Sequence, residues 1–475
     1  MLSKQEFIST FISKVPHIPT EGQHIAIEKI TDFLYKKDPG QLFLLKGYAG
    51  TGKTTLVSAL VNTFTGYRKK TALLAPTGRA AKVFSVYSGK KAFTIHKFIY
   101  KIKSENGVVE IFRKENKLNN TLFIVDEVSM ISNHIHESEL FGNQDLLSDL
   151  IDFVFEGENN KLLFIGDDAQ LPPVHSDESP AMDINFLKHS FNLEINHYQL
   201  TDVVRQSSES GILFNATHLR KKINENCFQL PLFSSQPFSD FINLSSSELE
   251  EELNRLYSQY DPEEIVIITR SNKRAYIFNN EIRNRIFYRE NQISTGDYIM
   301  AVKNNYHWIE EDSEVGFLAN GDMMEIQNII KTNSLYGFDF ADVRVRLCDY
   351  PNFPDVELKI ILNSLETQAA SMSHSDMKTL FQEVSKDYED IPNKRVRFLK
   401  IKNNPYLNAA QVKFSYALTC HKTQGGQWKI TFIDFNFFKD QPIDKEQLRW
   451  LYTAITRTTE KVYLLNFPKE FFGID

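Results

Sequence analysis

Short, continuously apolar runs alternate with amphipathic segments along the first half of the chain. Four runs have the composition of buried strands, at residues 42–46, 71–75, 121–127 and 161–167. Strands that are apolar on both faces are typical of parallel sheets covered by helices, and the intervening segments carry helical periodicity. The pattern predicts an α/β fold with a parallel sheet.

The same alternation returns after an interruption, in runs at residues 264–270, 415–419, 430–435 and 461–467. The interrupting segment contains Gly-Asp turns, short β-prone pieces and a polar helical stretch, which together predict a small β-barrel with an extra excursion. We therefore predict a second α/β domain that is split by an inserted barrel. The predicted units are a first domain at 1–195, the two segments of a second domain at 196–287 and 413–475, and the insertion at 288–412.

A hairpin is predicted within the first domain, at residues 98–120. Two β-prone runs flank Asn106 and Gly107 there. Asn-Gly favours a two-residue hairpin turn because both residues tolerate the positive φ angles that a type I′ turn requires. The hairpin is either a projecting functional element or a surface arm without a function of its own.

Composition places the chain among globular proteins. Its 475 residues are 42% hydrophobic and 24% charged, and the formal net charge is -7. A mildly acidic chain is not expected to coat nucleic acid through a large positive face, but a locally basic groove is compatible with this charge.

Cysteine usage and the N-terminus predict a cytoplasmic protein. The three cysteines, Cys227, Cys348 and Cys420, form no Cys-x-x-Cys pair, so neither a disulfide framework nor a zinc module is indicated. The first residues lack an apolar core followed by a cleavage site, and the sequence contains no apolar run long enough to span a membrane. We therefore expect no membrane partner.

The strongest chemical motif is GYAGTGKT, at residues 47–54, which follows a predicted strand and opens a predicted helix. This is the Gly-x-x-x-x-Gly-Lys-Thr phosphate loop (P-loop) in its required context. Glycines let backbone amides close around phosphate oxygens, and the helix N-terminus adds a favourable partial charge. Lys53 is expected to neutralise the β- and γ-phosphates and Thr54 to ligate Mg²⁺.

Two adjacent acids end the third predicted strand. Asp126 is placed to hold the magnesium shell, and Glu127 to orient and deprotonate the attacking water. Because the chain shows no Asn-Lys-x-Asp element for guanine, ATP is the expected nucleotide and Mg²⁺ the expected metal.

Seven further segments fall into one ordered pattern with the P-loop. They are PTEGQHIAI (19–27), APTGRAAKVF (75–84), TIHKF (94–98), FIGDDAQLPPV (164–174), LTDVVRQ (200–206), YALTCHKTQGGQW (416–428) and YTAITR (452–457). With these motifs in this order the chain resembles the superfamily 1 DNA helicases of the 5′→3′ subclass, in particular the RecD/Dda-like group. The resemblance covers about three quarters of the chain. It implies two RecA-like P-loop NTPase motor domains, with a β-hairpin inserted in the first and an SH3-like barrel in the second.

The resemblance also implies roles for individual residues. In the family, the glutamine at Gln23 reads adenine, the one at Gln170 senses the γ-phosphate, and arginines at Arg205 and Arg457 reach the phosphates from the second domain. The residues expected to bind ATP are Gln23, Gly47, Ala49, Gly50, Thr51, Gly52, Lys53, Thr54 and Thr55. Those expected to contact DNA are Pro76, Thr77, Gly78, Thr94, His96, Thr419 and His421, and Gln424 is expected to join DNA and ATP contacts. Residues 171–173 are expected to link the ATP site to bound DNA.

The predicted hairpin lies where the family carries a strand-separating pin. Its proposed residues are Tyr100, Asn106, Gly107, Ile111 and Phe112, while Tyr306 and Trp308 of the insertion are alternative stacking residues. The chain departs from the family at Gln427, where many relatives have an acid, and over residues 362–404. The basic run within 394–402 is either an extension of the strand-binding groove or a solvated face.

We interpret the chain as an ATP-dependent DNA helicase. Two alternatives stay open: a related motor that acts on RNA, and an ATP-dependent nucleic-acid-binding switch. A nuclease site at residues 354–359 is disfavoured by the spacing of its acids. The expected partners are single-stranded DNA and duplex junctions, with a single-stranded-DNA-binding protein as a further candidate. The chain is expected to work as a monomer because both motor domains lie within it.

Overall fold

A computed structural model describes residues 3–473 except 106–107, 133–135, 139–141, 175, 203–209, 311–312, 314 and 436–441. The architecture consists of two parallel α/β units and a closed barrel. The predicted α/β fold class, with a hairpin in the first unit and a barrel in the second, is confirmed.

The first unit is a six-stranded parallel sheet with helices on both faces. Its strands are β1 (Gln41–Gly47), β2 (Lys70–Ala75), β3 (Ala92–Thr94), β6 (Thr121–Val125), β9 (Lys161–Gly166) and β10 (Glu194–Leu200), in the spatial order β10-β1-β9-β6-β2-β3. Its helices are α1 (Lys4–Ser13), α2 (Glu21–Tyr35), α3 (Lys53–Gly66), α4 (Gly78–Ser88), α5 (Ile95–Ile99), α6 (Leu146–Glu156) and α7 (Ile184–Phe191). Because β10 belongs to this sheet, the sheet extends past residue 195, the predicted end of the first domain.

Two hairpins are inserted in the first unit. The predicted one is β4 (Tyr100–Glu105) paired with β5 (Val108–Arg113), and a second one, not foreseen, pairs β7 (His136–Ser138) with β8 (Gly142–Gln144). Both leave the sheet at the ends of elements that carry the site.

Alternation along β1 explains the apolar runs. Phe43 and Leu45 pack into a core on one face of the sheet, while Leu42 and Leu44 pack into the core on the other face. Successive side chains of a strand point to opposite faces, so a strand covered on both faces must be apolar at every position.

The second unit is a five-stranded sheet, also parallel, in the order β11-β20-β19-β12-β18. Its strands are β11 (Phe241–Leu244), β12 (Ile265–Thr269), β18 (Ala417–Thr419), β19 (Trp428–Asp434) and β20 (Thr458–Leu465). Its helices are α8 (Gly211–Asn224), α9 (Leu249–Tyr257), α10 (Asn272–Glu281), α14 (Cys420–Thr423) and α15 (Lys445–Ile455).

The insertion is a closed barrel with a helical excursion on its side. The barrel strands are β13 (Tyr298–Ala301), β14 (Met323–Leu335), β15 (Phe338–Leu347), β16 (Val356–Ile361) and β17 (Ala410–Phe414), and the excursion holds α11 (Asn363–Glu366), α12 (His374–Lys386) and α13 (Lys394–Lys402). Leu380 and Ile401 of the excursion pack on Phe340 and Ile361 of the barrel. The basic run forms α13, which is anchored by Ile401 and otherwise mostly solvent-facing.

Candidate nucleotide site and nucleic-acid interface

The P-loop joins β1 to α3 and has the backbone that its glycines permit. Gly50 and Gly52 have φ angles of 75° and 86°, in the left-handed region that favours glycine. A Cβ on Gly47 would lie 2.9 Å from the Lys53 side chain. The Lys53 ammonium donates to the carbonyls of Gly47 and Tyr48, at 3.0 Å for the latter, and lies 3.9 Å from Asp167. The loop thus places the Lys53 cation inside a turn that glycines leave open, where a triphosphate can be held.

Gln23, predicted to read adenine, is fully buried beside the P-loop. Its amide nitrogen donates to the carbonyl of Thr51 at 3.2 Å, and its amide oxygen accepts the N–H of Thr20 at 3.1 Å. The side chain thus ties the start of α2 to the phosphate loop.

The acid pair lies at the carboxyl end of β6, on the same edge of the sheet as the P-loop. Asp126 accepts the Glu127 amide at 2.8 Å and a short hydrogen bond from the Tyr87 hydroxyl. Glu127 has a φ of 53°, an uncommon left-handed conformation for a residue with a side chain. Burial raises the pKa of both carboxyls, while the charge of Arg457 opposes the rise for Glu127.

This donor set fits a hydrated Mg²⁺ held with a nucleotide. Asp126 offers a half-buried carboxylate and Thr54 offers an exposed hydroxyl at the start of α3. Hard oxygen donors of this kind are the ligands that Mg²⁺ prefers. Within the part of the chain that the structure describes, no group of three or more His, Cys, Asp or Glu could hold a metal by itself. A site with few protein ligands is usual when phosphates supply the others.

Arg457 approaches this pair from the second unit. Its guanidinium lies 3.6 Å from the Glu127 carboxylate, and the residue is only 4% exposed. Gln170 is also buried, and its side-chain oxygen has no hydrogen-bond partner among the described residues. Arg205, the other predicted phosphate contact, lies outside the described residues.

Helix α15 of the second unit reaches the P-loop directly. The hydroxyl of Tyr452 accepts the N–H of Ala49 at 2.8 Å and donates to Asp167 at 2.7 Å. Tyr452 and Asp167 are each 1% exposed. The phosphate loop therefore has a hydrogen-bond partner more than four hundred residues away, in the other unit.

The segment after β9 is also held by the second unit. The N–H of Leu171 donates to the Thr453 hydroxyl at 2.8 Å, and the Leu171 carbonyl accepts from Gln424 at 2.7 Å. Arg449 donates to the carbonyls of Asp168 and Asp177, at 3.2 and 2.9 Å. The predicted coupling segment is thus fastened to α14 and α15 through its main chain.

Tyr48 of the P-loop inserts into the core of the second unit. It is 4% exposed, and its hydroxyl accepts from Asn224 of α8 at 2.8 Å. The guanidinium of Arg220, on the same helix, stacks over the Tyr48 ring at 4.4 Å. Two consecutive P-loop residues, Tyr48 and Ala49, therefore contact the second unit.

The expected DNA-contacting residues of the first unit lie at helix starts. Thr77 caps α4, its hydroxyl accepting the Ala80 amide at 3.2 Å, and Thr94 caps α5 in the same way with Lys97. Gly78 is buried against Asp322 of the barrel, where a Cβ would lie 2.4 Å from a carboxylate oxygen. Pro76 precedes this start, and His96 is half-buried, its ring 5.8 Å from that of Tyr100.

The counterpart in the second unit is a concavity beside Thr419 and His421. Thr419 precedes α14, and His421 is half-buried within it. Thr419 lines the concavity with Asn272 at the start of α10 and with two lysines, Lys413 and Lys422. Burial lowers the pKa of each lysine to about 8.

The proposed pin residues differ in how exposed they are. Tyr100 is 7% exposed at the base of the hairpin and donates to Asp149 at 2.7 Å, so its ring is not available to stack on a base. Phe112 is 45% exposed. Asn106 and Gly107 lie outside the described residues, as does the side chain of Ile111.

The alternative stacking residues are packed instead. Trp308 donates to the carbonyl of Asn408 at 2.8 Å, and Tyr306 packs on Phe317 and on the core of the first unit. Gln427, where the chain departs from the family, is exposed, and its carbonyl accepts from Arg79 at 3.1 Å.

Several residues of the site escaped the sequence analysis. They are Tyr48, Tyr87, Arg220, Lys413, Lys422, Arg449, Tyr452 and Thr453. Tyr452 and Thr453 belong to the YTAITR segment, so their motif was the available signal. Tyr48 and Lys422 also lie within quoted motifs, at positions that the motifs do not specify. The remaining residues lie outside any motif, and their partners are distant in sequence.

A P-loop in one α/β unit, completed by an arginine and a tyrosine from a second, defines a nucleoside triphosphatase with a composite site between two RecA-like domains. Residues 20–228 match the family model described as AAA domain, and residues 414–465 match the UvrD-like helicase C-terminal domain. Together the two models cover more than half of the chain.

Two curated proteins and one solved structure illustrate what the chain is similar to. The RecBCD enzyme subunit RecD of Buchnera aphidicola is 25% identical, over 90% of this chain and 70% of its own length. The ATP-dependent DNA helicase dda of Enterobacteria phage T4 is 25% identical, over 94% of this chain and 98% of its own. A crystal structure of Pif1 helicase from Bacteroides with ADP-AlF3 and ssDNA is 15% identical, with a TM-score of 0.48 over 97% of this chain and 95% of that one. The chain thus carries an AAA domain and a UvrD-like helicase C-terminal domain, and its relatives include RecD and the Dda helicase.

In the part of the chain that the structure describes, no helix combines the length and the apolar character needed to cross a bilayer.

Proposed function

We propose that the chain is an ATP-dependent DNA helicase that moves 5′→3′ along single-stranded DNA and unwinds duplexes. One observation carries the proposal: the second unit contacts consecutive residues of the P-loop, through Tyr48 and Ala49. A nucleotide bound there sits in the cleft between two domains, so its hydrolysis changes how the domains fit together.

Hydrolysis in this site rests on positioning and charge. Lys53 and the P-loop amides hold the phosphates, and Thr54 and Asp126 hold the Mg²⁺, which when bound neutralises phosphate charge. Glu127 takes the proton of the attacking water. Arg457, buried and 3.6 Å from Glu127, supplies a guanidinium to the transferring phosphoryl group, with Arg205 as a second. Gln170 contributes a buried amide whose oxygen is free to accept from the attacking water.

Coupling to DNA passes through the segment at residues 167–177. It begins at Asp167, which touches the P-loop lysine, and its main chain is bonded to Thr453 and Gln424. Movement of α14 and α15 relative to the first unit must therefore move this segment, or break its bonds. Each domain thereby changes its affinity for the DNA strand as the bound nucleotide changes.

The proposed path of the strand runs over the first turns of α4 and α5 and past Thr419. Helix N-termini are suited to backbone phosphates, and so are the half-buried Lys413 and Lys422, for which the described residues provide no carboxylate. Backbone phosphates are the same for every sequence. DNA rather than RNA is proposed because dda of phage T4, a relative that covers 94% of this chain, is named an ATP-dependent DNA helicase. Phe112 of the hairpin is proposed as the wedge that splits the terminal base pair. The chain is further proposed to act as a cytoplasmic monomer on junctions, with a single-stranded-DNA-binding protein as a candidate partner.

The decisive experiment measures ATP hydrolysis with no polymer, with single-stranded DNA, with duplex DNA and with RNA. The variants are Lys53→Ala and, as a matched control, Lys37→Ala, which removes an exposed lysine beyond α2. We expect single-stranded DNA to stimulate the wild type and Lys37→Ala, and Lys53→Ala to be inactive. Stronger stimulation by RNA favours the RNA motor, and no stimulation by any polymer favours the switch. Duplexes with a 5′ or a 3′ tail then decide the polarity.

A further inference from the structure

Tyr452 connects three groups that belong to different parts of the machinery. Its hydroxyl accepts the Ala49 N–H of the P-loop and donates to the Asp167 carboxylate, which itself lies 3.9 Å from the Lys53 ammonium. A buried hydroxyl that both accepts and donates has its hydrogen-bonding groups satisfied. Asp167 also accepts the Ala169 amide at 3.0 Å, a bond that lies within the first unit. This chain of contacts crosses the cleft.

The helix that carries Tyr452 also carries Arg457, just beyond its end. Arg457 donates to the carbonyl of Thr453 at 3.2 Å, so the arginine is fixed to the last turn of α15. Any change in how α15 meets the P-loop is therefore passed to the guanidinium beside Glu127. A displacement of about 1 Å at such a place costs on the order of a hundredfold in rate.

Lys53 makes the hydrogen bond between Tyr452 and Asp167 sensitive to the nucleotide. Asp167 faces both the Lys53 ammonium and the Tyr452 hydroxyl. A bound γ-phosphate competes for Lys53, and the buried carboxylate then depends more strongly on the hydroxyl. The contact between α15 and the first unit is thus strengthened when ATP is bound.

We propose that Tyr452 is a positioning residue: its hydroxyl links the P-loop and Asp167 to α15, and so brings Arg457 into place when ATP fills the site. The proposal rests on the proposed function for the identity of the reaction. It assigns Tyr452 no contact with the nucleotide.

The test compares Tyr452→Phe with Tyr463→Phe. Both tyrosines are buried in the second unit, and both donate to a carboxylate, which for Tyr463 is Glu252 on α9, away from the cleft. In Tyr452→Phe we expect kcat at saturating single-stranded DNA to fall about ten- to a hundredfold, with the KM for ATP changed by less than about twofold. The ratio of single-stranded DNA affinities with a non-hydrolysable ATP analogue and with ADP should move towards one. Tyr463→Phe should retain the wild-type kcat and the wild-type ratio.

Two results overturn the proposal. One is a folded Tyr452→Phe, checked by thermal melting, with wild-type kcat and an unchanged affinity ratio. The other is a rise in KM without a fall in kcat, which would make Tyr452 a binding residue only. If the wild type is not stimulated by DNA, the helicase function fails separately, and Tyr452 is judged by the kcat and KM of DNA-free hydrolysis. If Tyr452→Phe does not fold, kcat and KM are measured instead for Asp167→Asn. This variant keeps the hydrogen-bond acceptor but removes the charge that faces Lys53.

Discussion

The backbone at Glu127 positions the group that activates water. Its φ of 53° turns the chain at the carboxyl end of β6, so that the carboxylate faces Arg457 while Asp126 caps the same turn through the Glu127 amide. Non-glycine residues rarely adopt this conformation unless their surroundings hold them there. The turn is an example of local strain that belongs to an active site.

Replacing Glu127 by glutamine should separate binding from chemistry. Glutamine keeps the size of the side chain and its hydrogen bonding but cannot take a proton, so we expect kcat to fall by about 10²–10⁴. Affinities for ATP and for single-stranded DNA should stay near those of the wild type, measured by equilibrium binding. Glu158→Gln, at an exposed position after α6, is the control and should hydrolyse ATP normally. Wild-type turnover in Glu127→Gln would show that another group activates the water.

Site residues could be predicted from the sequence only where a local motif specifies their chemistry. Lys53 and the P-loop glycines were found because one eight-residue pattern specifies loop, cation and helix start together. Arg220 and Tyr48 were not, because their stacking joins an arginine and an aromatic ring that lie far apart in the chain and carry no joint pattern. The residues that close the cleft are therefore those that the sequence alone reveals least.

At the scale of elements, the hairpin β4–β5 stands on a fixed base. Tyr100 binds Asp149 of α6, and Arg113 binds Glu156 of the same helix at 2.7 Å, so both strands are anchored where they leave the first unit. Phe112 lies next to this base and is 45% exposed. A rigid base with an exposed aromatic ring is suited to pressing on a base pair.

Replacing residues 101–112 by a short turn should remove unwinding and spare the motor. We expect no strand separation of a tailed duplex, while hydrolysis stimulated by single-stranded DNA stays within about twofold of the wild type. The P-loop contacts described above run to α2, α8 and α15 and not to the described part of the hairpin. Phe112→Ala should slow unwinding alone. Phe381→Ala, which removes a phenylalanine of similar exposure on α12, is its control. Loss of both activities in a folded deletion variant would argue against a wedge.

Strands and helices could be predicted where a pattern of apolar residues marks the positions that are buried. The strands β1, β2, β6, β9, β12 and β19 are each built around a short apolar run, and the sequence predicts all of them. The four-residue strand β11 was not foreseen, because its pattern does not distinguish an edge strand from a loop. The barrel was expected, but its last strand, β17, runs to Phe414, past the predicted end of the insertion at residue 412. No local signal marks this end, because β17 pairs with β13, more than a hundred residues earlier in the chain.

At the scale of the whole molecule, the barrel is joined to both motor domains around α4. Gly78 lies against Asp322, and Lys82 donates to the carbonyl of Cys348 at 2.6 Å. The guanidinium of Arg79 stacks on Trp428 of the second unit at 3.9 Å. The helix that begins at the expected DNA contact therefore touches all three parts, and its environment affects how they hold together.

Asp322 at this junction makes stability depend on pH. It is 2% exposed, one of its oxygens has no hydrogen-bond partner among the described residues, and the other accepts the Ala319 amide at 2.7 Å. Burial, and then the charge of Asp349, raises the pKa of Asp322 from 3.8 to about 8. Between these values the folded chain keeps a proton that the unfolded chain has lost, so stability falls as pH rises, by at most about 1.4 kcal/mol per pH unit.

Asp322→Asn should therefore stabilise the protein increasingly as the pH rises towards 8. Asparagine has nearly the same shape, can still accept the Ala319 amide, and carries no charge to bury. We expect the melting temperature of the variant to exceed that of the wild type by several degrees at pH 8, and by less at pH 6. About 1 kcal/mol moves the transition of a chain this size by about one degree, and the raised pKa amounts to several kcal/mol at pH 8. Asp355→Asn, at an exposed position of the same barrel, should show no such dependence. A difference that is equal at both pH values, or a variant less stable at pH 8, would mean that Asp322 is charged in the folded protein and is stabilised by its neighbours.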